Sequence, residues 1–462
     1  MSQRSEVLRV GVRATVGLLV TGIAATAIVL LGNVPLPGVE RTPLAMTVDT
    51  SQDSERTYVC AGSFAELGAD PTRSGVAVPL GTAAVTIAGD PTETTELVRQ
   101  EEGGSAPAVV QGPADAPLVA AQTQRLSTPT LSGLSASACT EPVNEQWLVG
   151  GSTAVGASST LSLGNPGQVP ATARVTVYDA EGPVDAGQTT GVLVPPGSER
   201  TVSLNGYAAD REQLAVRVVS TGATVTATMG VSQIETLDPF AVDTVTRQLE
   251  PQSTLVIPGV TNIYDHVDNH GDQEGDYYPV QVRLLAPDAS GRATVRAVDK
   301  KGESTELGSV ELEAGAVAEL RPERWPEGAN AVIVEADVPV VGGVLGTAVR
   351  DEDRDYAWFA PGGEIPAETP TAAAVVSGGG LVLVNPGAED AEAEIAEAGS
   401  DDEPRTVKIP AGAAVTSRAP ASAEITSTAP IFVGVRMARN GIAGYPVLPA
   451  ESRSGELTVY TR

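Results

Sequence analysis

Apolar and polar residues alternate along most of this chain, which is the period of a β-strand that buries one face. Ala173-Arg174-Val175-Thr176-Val177-Tyr178 shows it clearly, and antiparallel sheets covered on one side carry this pattern. Two such sheets must cover each other. The same order of signals recurs over residues 159–230, 280–346 and 380–438. Each stretch has a strand ending in a proline turn (Asn165-Pro166, Ala286-Pro287, Asn385-Pro386), an alternating strand, a turn glycine (Gly197, Gly315, Gly412) and another alternating strand. Two further strands close each unit. A hydrophobic lead-in precedes each, at Trp147-Leu148-Val149-Gly150, Leu255-Val256-Ile257-Pro258-Gly259 and Trp358-Phe359-Ala360-Pro361-Gly362.

The spacing of these units, about 100 residues, suits an immunoglobulin-like or fibronectin-like sandwich, so the pattern predicts a mainly β chain of tandem antiparallel β-sandwiches. A propeller blade usually repeats every ~40–50 residues, and a β-propeller-like arrangement is the alternative.

One run breaks the alternation. Residues 14–31 are uncharged and apolar and follow Arg4, Arg9 and Arg13. A run of that length spans a membrane as a helix, with its basic side in the cytoplasm. No A-x-A cleavage pattern lies close behind it, which favours a retained anchor over a cleaved signal; either would export the body of the chain. The expected division is a cytoplasmic tail at 1–13, a transmembrane anchor at 14–32, a cysteine-containing exterior region at 33–144, and sandwich repeats at 145–251, 252–354 and 355–462. The location expected is the cell membrane, single-pass, with the bulk extracytoplasmic. Residues 33–144 differ from the repeats, and the polar Gly/Pro/Ala stretch at 101–117 has the composition of an exposed loop.

Cys60 and Cys139 are the whole cysteine complement, and an even count in an exported chain predicts a disulfide that pins this region beside the first sandwich. The formal net charge of −29 excludes nucleic acid as a partner and opposes binding to anionic membrane faces. The 49 glycines and 34 prolines are spread along the chain, as short strands and turns require. Only Lys300, Lys301 and Lys408 are lysines, whereas Ala, Val, Gly and Arg abound, a bias that reads as a GC-rich coding sequence.

The two histidines, His266 and His270, share an acidic stretch with Asp265, Asp268, Asp272, Glu274 and Asp276. Imidazoles four apart with Asp268 and Asp272 beside them are the candidate metal ligands. The calcium-loop spacing is not met and zinc lacks a well-placed third ligand, so the stretch reads as a solvated acidic turn. No G-x-S-x-G, H-E-x-x-H or phosphate-loop motif occurs. Phe, Trp and Tyr together are few (4, 3 and 9), a poor supply of sugar-stacking platforms, and Trp147, Trp325 and Trp358 read as packing residues. No catalytic residue, cofactor or metal site is therefore assigned, and the chain reads as a non-enzyme.

Ala138-Cys139-Thr140-Glu141-Pro142, followed by Trp147-Leu148-Val149-Gly150-Gly151-Ser152-Thr153, resembles an actinobacterial family of uncharacterised single-pass envelope proteins with a C-T-E-P…W-x-V-G-G-S-T motif. The resemblance implies one amino-terminal membrane segment, a cysteine pair and a largely β exterior. It carries over no catalytic residue. As a partner class it implies a membrane glycosyltransferase of cell-envelope synthesis or another envelope protein. Leu255 stands in the second repeat where the other two have tryptophan. Two functions are expected from different classes: a non-catalytic envelope scaffold built as a rigid row of sandwiches, or a metal-dependent binder or hydrolase centred on 264–276.

Overall fold

The computed structural model describes residues 55–70, 72–73, 75–184, 190–265, 276, 278–350 and 353–449, the backbone of 45–49 and 456–460, and Leu19, Gly22 and Ile23. The chain forms two compact units, residues 1–52 with 453–462, and residues 53–452. In the first, Ala45–Asp49 pairs antiparallel with Glu456–Tyr460. The last strand thus joins the segment after the expected anchor instead of the third repeat. Among the described residues no helix is long and apolar enough to cross a membrane; the anchor expected at 14–32 lies outside them except at Leu19, Gly22 and Ile23.

The second unit is built of mainly antiparallel sheets, with one short helix among the described residues, at Leu204–Tyr207. In the first repeat one sheet has the spatial order Glu145–Val149, Ala215–Thr221, Ala171–Asp179, Thr190–Val194. The facing sheet runs Ser198–Ser203, Ala157–Asn165, Thr226–Glu235, Asp238–Val245. Alternation in Ala171–Asp179 sends Ala171, Ala173, Val175 and Val177 inward against Leu161, Leu163 and Met229 of the opposite sheet, and all seven are buried.

The same pairing recurs twice. In the second repeat a continuous 22-residue strand, Ala329–Arg350, supplies the central strands of both sheets: its first half lies between Gln252–Pro258 and Gly291–Asp299, its second between Gln281–Leu285 and Asp353–Phe359. In the third, Thr371–Ala374, Ser422–Ser427, Ala391–Glu397 and Arg405–Ile409 make one sheet. Ala414–Ser417, Gly380–Val384, Ile431–Met437 and Ala443–Pro446 make the other.

The region before residue 144 holds a fourth, abbreviated copy. Glu55–Val59, Ala108–Pro113 and Glu93–Glu96 form one sheet, and Ala84–Ala88, Val119–Ser127 and Ser132–Ala138 the other. The spatial order is that of the repeats with the two outermost strands missing, and a hairpin, Ala65–Leu67 with Ala77–Pro79, is inserted. Part of the stretch expected as an exposed loop is therefore a central strand, with Val109 and Val110 buried. Its glycine is a packing residue: a Cβ on Gly112 would lie 2.6 Å from the Leu118 side chain. Cys60 and Cys139 are joined, tying the end of this copy's first strand to the segment leaving its last. Val59 and Thr140 exchange backbone hydrogen bonds beside them.

The four copies do not form a row. One sheet of each copy packs on the next copy: Val59, Leu97 and Val109 lie over the first repeat, where a Cβ on Gly164 would meet Leu97 and Val59. Trp147, Val149 and Ala215 meet Leu285, Val317 and Val341 of the second repeat, whose Val256, Ala331 and Ile333 meet Val382, Val384 and Ala414 of the third. The circuit closes where Ala373, Ile395 and Ile425 of the third repeat share a cluster with Ala88, Ala121 and Ala136 of the amino-terminal copy. With both faces covered, close approach selects small residues: a Cβ on Gly150 would lie 2.8 Å from the Trp358 ring, and one on Gly343 would lie 2.6 Å from the Val149 carbonyl oxygen.

The last strands of the copies, Ser132–Ala138, Asp238–Val245, Asp353–Phe359 and Ala443–Pro446, meet at the middle of the ring. Asp355 is fully enclosed there and its carboxylate accepts the N–H groups of Leu134 (3.0 Å) and Ile442 (3.1 Å), linking three copies through one side chain.

Candidate functional site

Buried charges between copies are mostly paired. Arg99 reaches Glu199 at 2.6 Å, and Arg283 reaches Glu319 at 2.9 Å while lying over the Trp358 ring at 4.6 Å. The Arg283–Glu319 pair is sealed within the contact between sheets, and Arg99 and Glu199, already engaged with each other, line a small cleft.

A different arrangement lies at the edge of the contact between the second and third repeats. In Ile431–Met437 the residues Ile431, Val433 and Val435 point into the third repeat's own core. The alternate residues Phe432, Gly434 and Arg436 face the second repeat: Phe432 packs on the Val256 cluster, and a Cβ on Gly434 would meet Pro258 at 2.9 Å. Arg436 donates to Asn330 Oδ1 (3.0 Å) and to the Gly259 carbonyl (3.4 Å). Its register neighbour is Gly380, whose missing side chain leaves space beside the guanidinium.

That space is a cleft of about 500 Å³, open to solvent, lined by Gly380, Thr416, Ser417, Arg405, Arg418 and Arg436 among others. Arg405 and Arg418 are exposed, whereas Arg436 is half-buried. Burial pushes the Arg436 guanidinium down to about 10, and it stays cationic at neutral pH. Among the described residues, no ion pair includes any of these three arginines. Such a cleft can hold an anion; it contains no base or nucleophile beyond hydroxyls.

Of the residues singled out in the sequence, His266, His270, Asp268 and Asp272 lie outside the described residues. The ends of their stretch are fixed: Ile263–Asp265 pairs in parallel with Ala348–Arg350, and Asp276 accepts from Asn262 Nδ2 (3.0 Å) and the Trp325 N–H (2.8 Å). Among the described residues no group of three or more His, Cys, Asp or Glu is placed to hold a metal ion. Trp147 and Trp358 are buried between sheets, as packing residues are. Asp355 is a buried strand residue.

The arginine cleft escaped sequence reading because its three cations are spread over more than thirty positions on separate strands. One signal was present. Arg436 occupies a strand whose other residues through Val435 are apolar or glycine, and a cation there must find a partner or a cavity.

Residues 97–420 match the family of unknown function DUF5719, and the chain belongs to that family. The matched span runs from the amino-terminal copy into the third repeat. No curated protein and no solved structure matches the chain.

Proposed function

We propose that this member of the family is a non-catalytic scaffold or binding module of the cell envelope, anchored in the membrane by residues 14–32 and working outside it. The observation that carries the reading is the closed circuit of sheets, in which the Arg99–Glu199 pair, Arg283 (held by Glu319 of its own repeat and donating to the Gly151 and Glu212 carbonyls of the first) and Asp355 fasten one copy to the next. A ring fastened this way is rigid, and rigidity favours presenting a surface over opening and closing around a substrate.

In the same reading each copy is an immunoglobulin-like pair of sheets, and the circuit makes a propeller-like ring of eight sheets. The ~100-residue repeat is compatible with both descriptions, because each copy contributes two neighbouring sheets of about the usual blade length. The partner class is a membrane glycosyltransferase of envelope synthesis or another envelope protein, and the support for it is the motif resemblance alone.

Crosslinking in intact cells, followed by identification of what co-purifies with the anchored chain, tests the proposal. The expected result is a defined membrane partner that is retained when His266 and His270 are both changed to Ala. A stoichiometric divalent ion in the wild-type exterior, lost in that double variant together with the partner, would replace the scaffold reading by the metal-dependent one.

A further inference from the structure

We infer that the cleft of Arg405, Arg418 and Arg436 is a binding site for a phosphorylated small molecule carrying at least two negative charges. The inference goes beyond the scaffold reading and stands or falls without it.

Three observations converge. First, the cleft gathers three guanidiniums, none ion-paired among the described residues, in a chain of net charge −29 where carboxylates outnumber cations two to one. Arg99 and Arg283, whose side chains are enclosed, each have a carboxylate. Arg436 is half-buried with only amide oxygens as partners, and partial burial disfavours its charge unless an anion joins it. Second, the guanidinium fork matches two oxygens of a phosphate at once, and several forks around one group favour phosphate or diphosphate over a single carboxylate. Third, the volume of about 500 Å³ exceeds what an inorganic ion needs and lies in the range of small-molecule sites, so the phosphate has an organic substituent.

Gly380 contributes by its lack of a side chain. A Cβ there would lie 3.2 Å from the Ser417 carbonyl oxygen and would project from the strand position next to Arg436. The acidic remainder of the surface repels anions elsewhere, which makes the cleft the favoured landing point. The phosphate can belong to a soluble metabolite or to a lipid headgroup at the anchoring membrane.

The test is titration of the purified full-length chain with pyrophosphate at low ionic strength, followed by calorimetry and by the phosphorus NMR signal of the ligand. We expect one saturable site. The double variant Arg405→Gln/Arg418→Gln alters two exposed side chains, so folding is not at stake, and it should weaken binding about tenfold or more. Arg292→Gln, an exposed arginine in another sheet, should leave it unchanged. Flotation with vesicles containing phosphatidic acid in excess of that with phosphatidylcholine vesicles, the excess lost on adding pyrophosphate, identifies a headgroup as the source; equal flotation with both vesicles and pyrophosphate binding intact identifies a soluble one. No pyrophosphate binding, or equal binding by wild type and the double variant, overturns the inference.

Discussion

Asp243 accepts the backbone N–H of Trp358 at 2.7 Å, so a carboxyl on the last strand of the first repeat holds the last strand of the second. The group is fully buried and its other oxygen has no hydrogen-bond partner among the described residues. Burial pushes Asp243 up to about 8, against the smaller opposing effect of the Trp358 and Thr244 N–H groups. Asp355 nearby is raised well above the usual carboxylate range, chiefly by burial, with the Asp243 charge adding to it.

A pH dependence follows. Asp243 is neutral in the folded chain up to about pH 8 but ionises near 4 when unfolded, so the folded state holds an extra proton between these values. Its stabilising contribution is complete below about pH 4 and is lost as pH rises through about 8, by the linkage of protons to folding. Thermal unfolding should move to lower temperature as pH is raised across this window. Asp243→Asn, which keeps an acceptor for the Trp358 N–H without a charge, should flatten the slope; an unchanged slope would show that Asp243 is not the titrating group.

Asn165 and Asn385 do the same work in two repeats. Each is buried at the end of its repeat's second strand, Ala157–Asn165 or Gly380–Val384; Asn165 Nδ2 donates to the carbonyls of Val169 (2.8 Å) and Val194 (3.0 Å), and Asn385 Nδ2 to those of Glu389 (2.8 Å) and Ile409 (3.2 Å). Their Oδ1 atoms accept from Gly167 and Gly387. Changing either to Ala leaves buried carbonyls without donors and should cost about 1–3 kcal/mol each in denaturant unfolding. Binding of any partner should be unaffected.

Removing the disulfide by Cys60→Ser/Cys139→Ser frees a loop with a sequence separation of 79. The chain-entropy account gives a loss of about 4–5 kcal/mol for a loop of this size. Urea unfolding of the oxidised chain against the double variant measures it, and mass spectrometry of the non-reduced exterior checks the pairing itself. An equal midpoint in the two chains would mean that the sheets alone hold this copy in place.

Gly150 lies at φ +149° with the Trp358 ring where a Cβ would be. Gly150→Ala should destabilise by about 1–3 kcal/mol through overpacking, and should perturb the Trp358 fluorescence. A matching change at Gly197, where nothing lies within 4 Å, carries only the backbone cost of its positive φ.

The sequence by itself determined the strands. Alternation and turn chemistry are local, so Ala171–Asp179 could be read from side-chain pattern alone, and so could the threefold order of strands and the cysteine pair, whereas the pattern did not show that Ala329–Arg350 runs as one continuous strand. The pattern could not show that both faces of each sheet are covered. An alanine- and glycine-rich second face looks the same whether it meets solvent or another sheet, and this composition, which resembles a coding bias, is what lets Gly150 approach Trp358 and Gly343 approach Val149. The fourth copy stayed hidden because two of its strands are absent and Ala108–Pro113 is flanked by turn residues. Closure of the ring, the central role of Asp355 and the meeting of Arg405, Arg418 and Arg436 depend on contacts between residues far apart in the chain. Only the tertiary structure decided these, because burial and charge pairing arise from neighbours in space that no local spacing encodes.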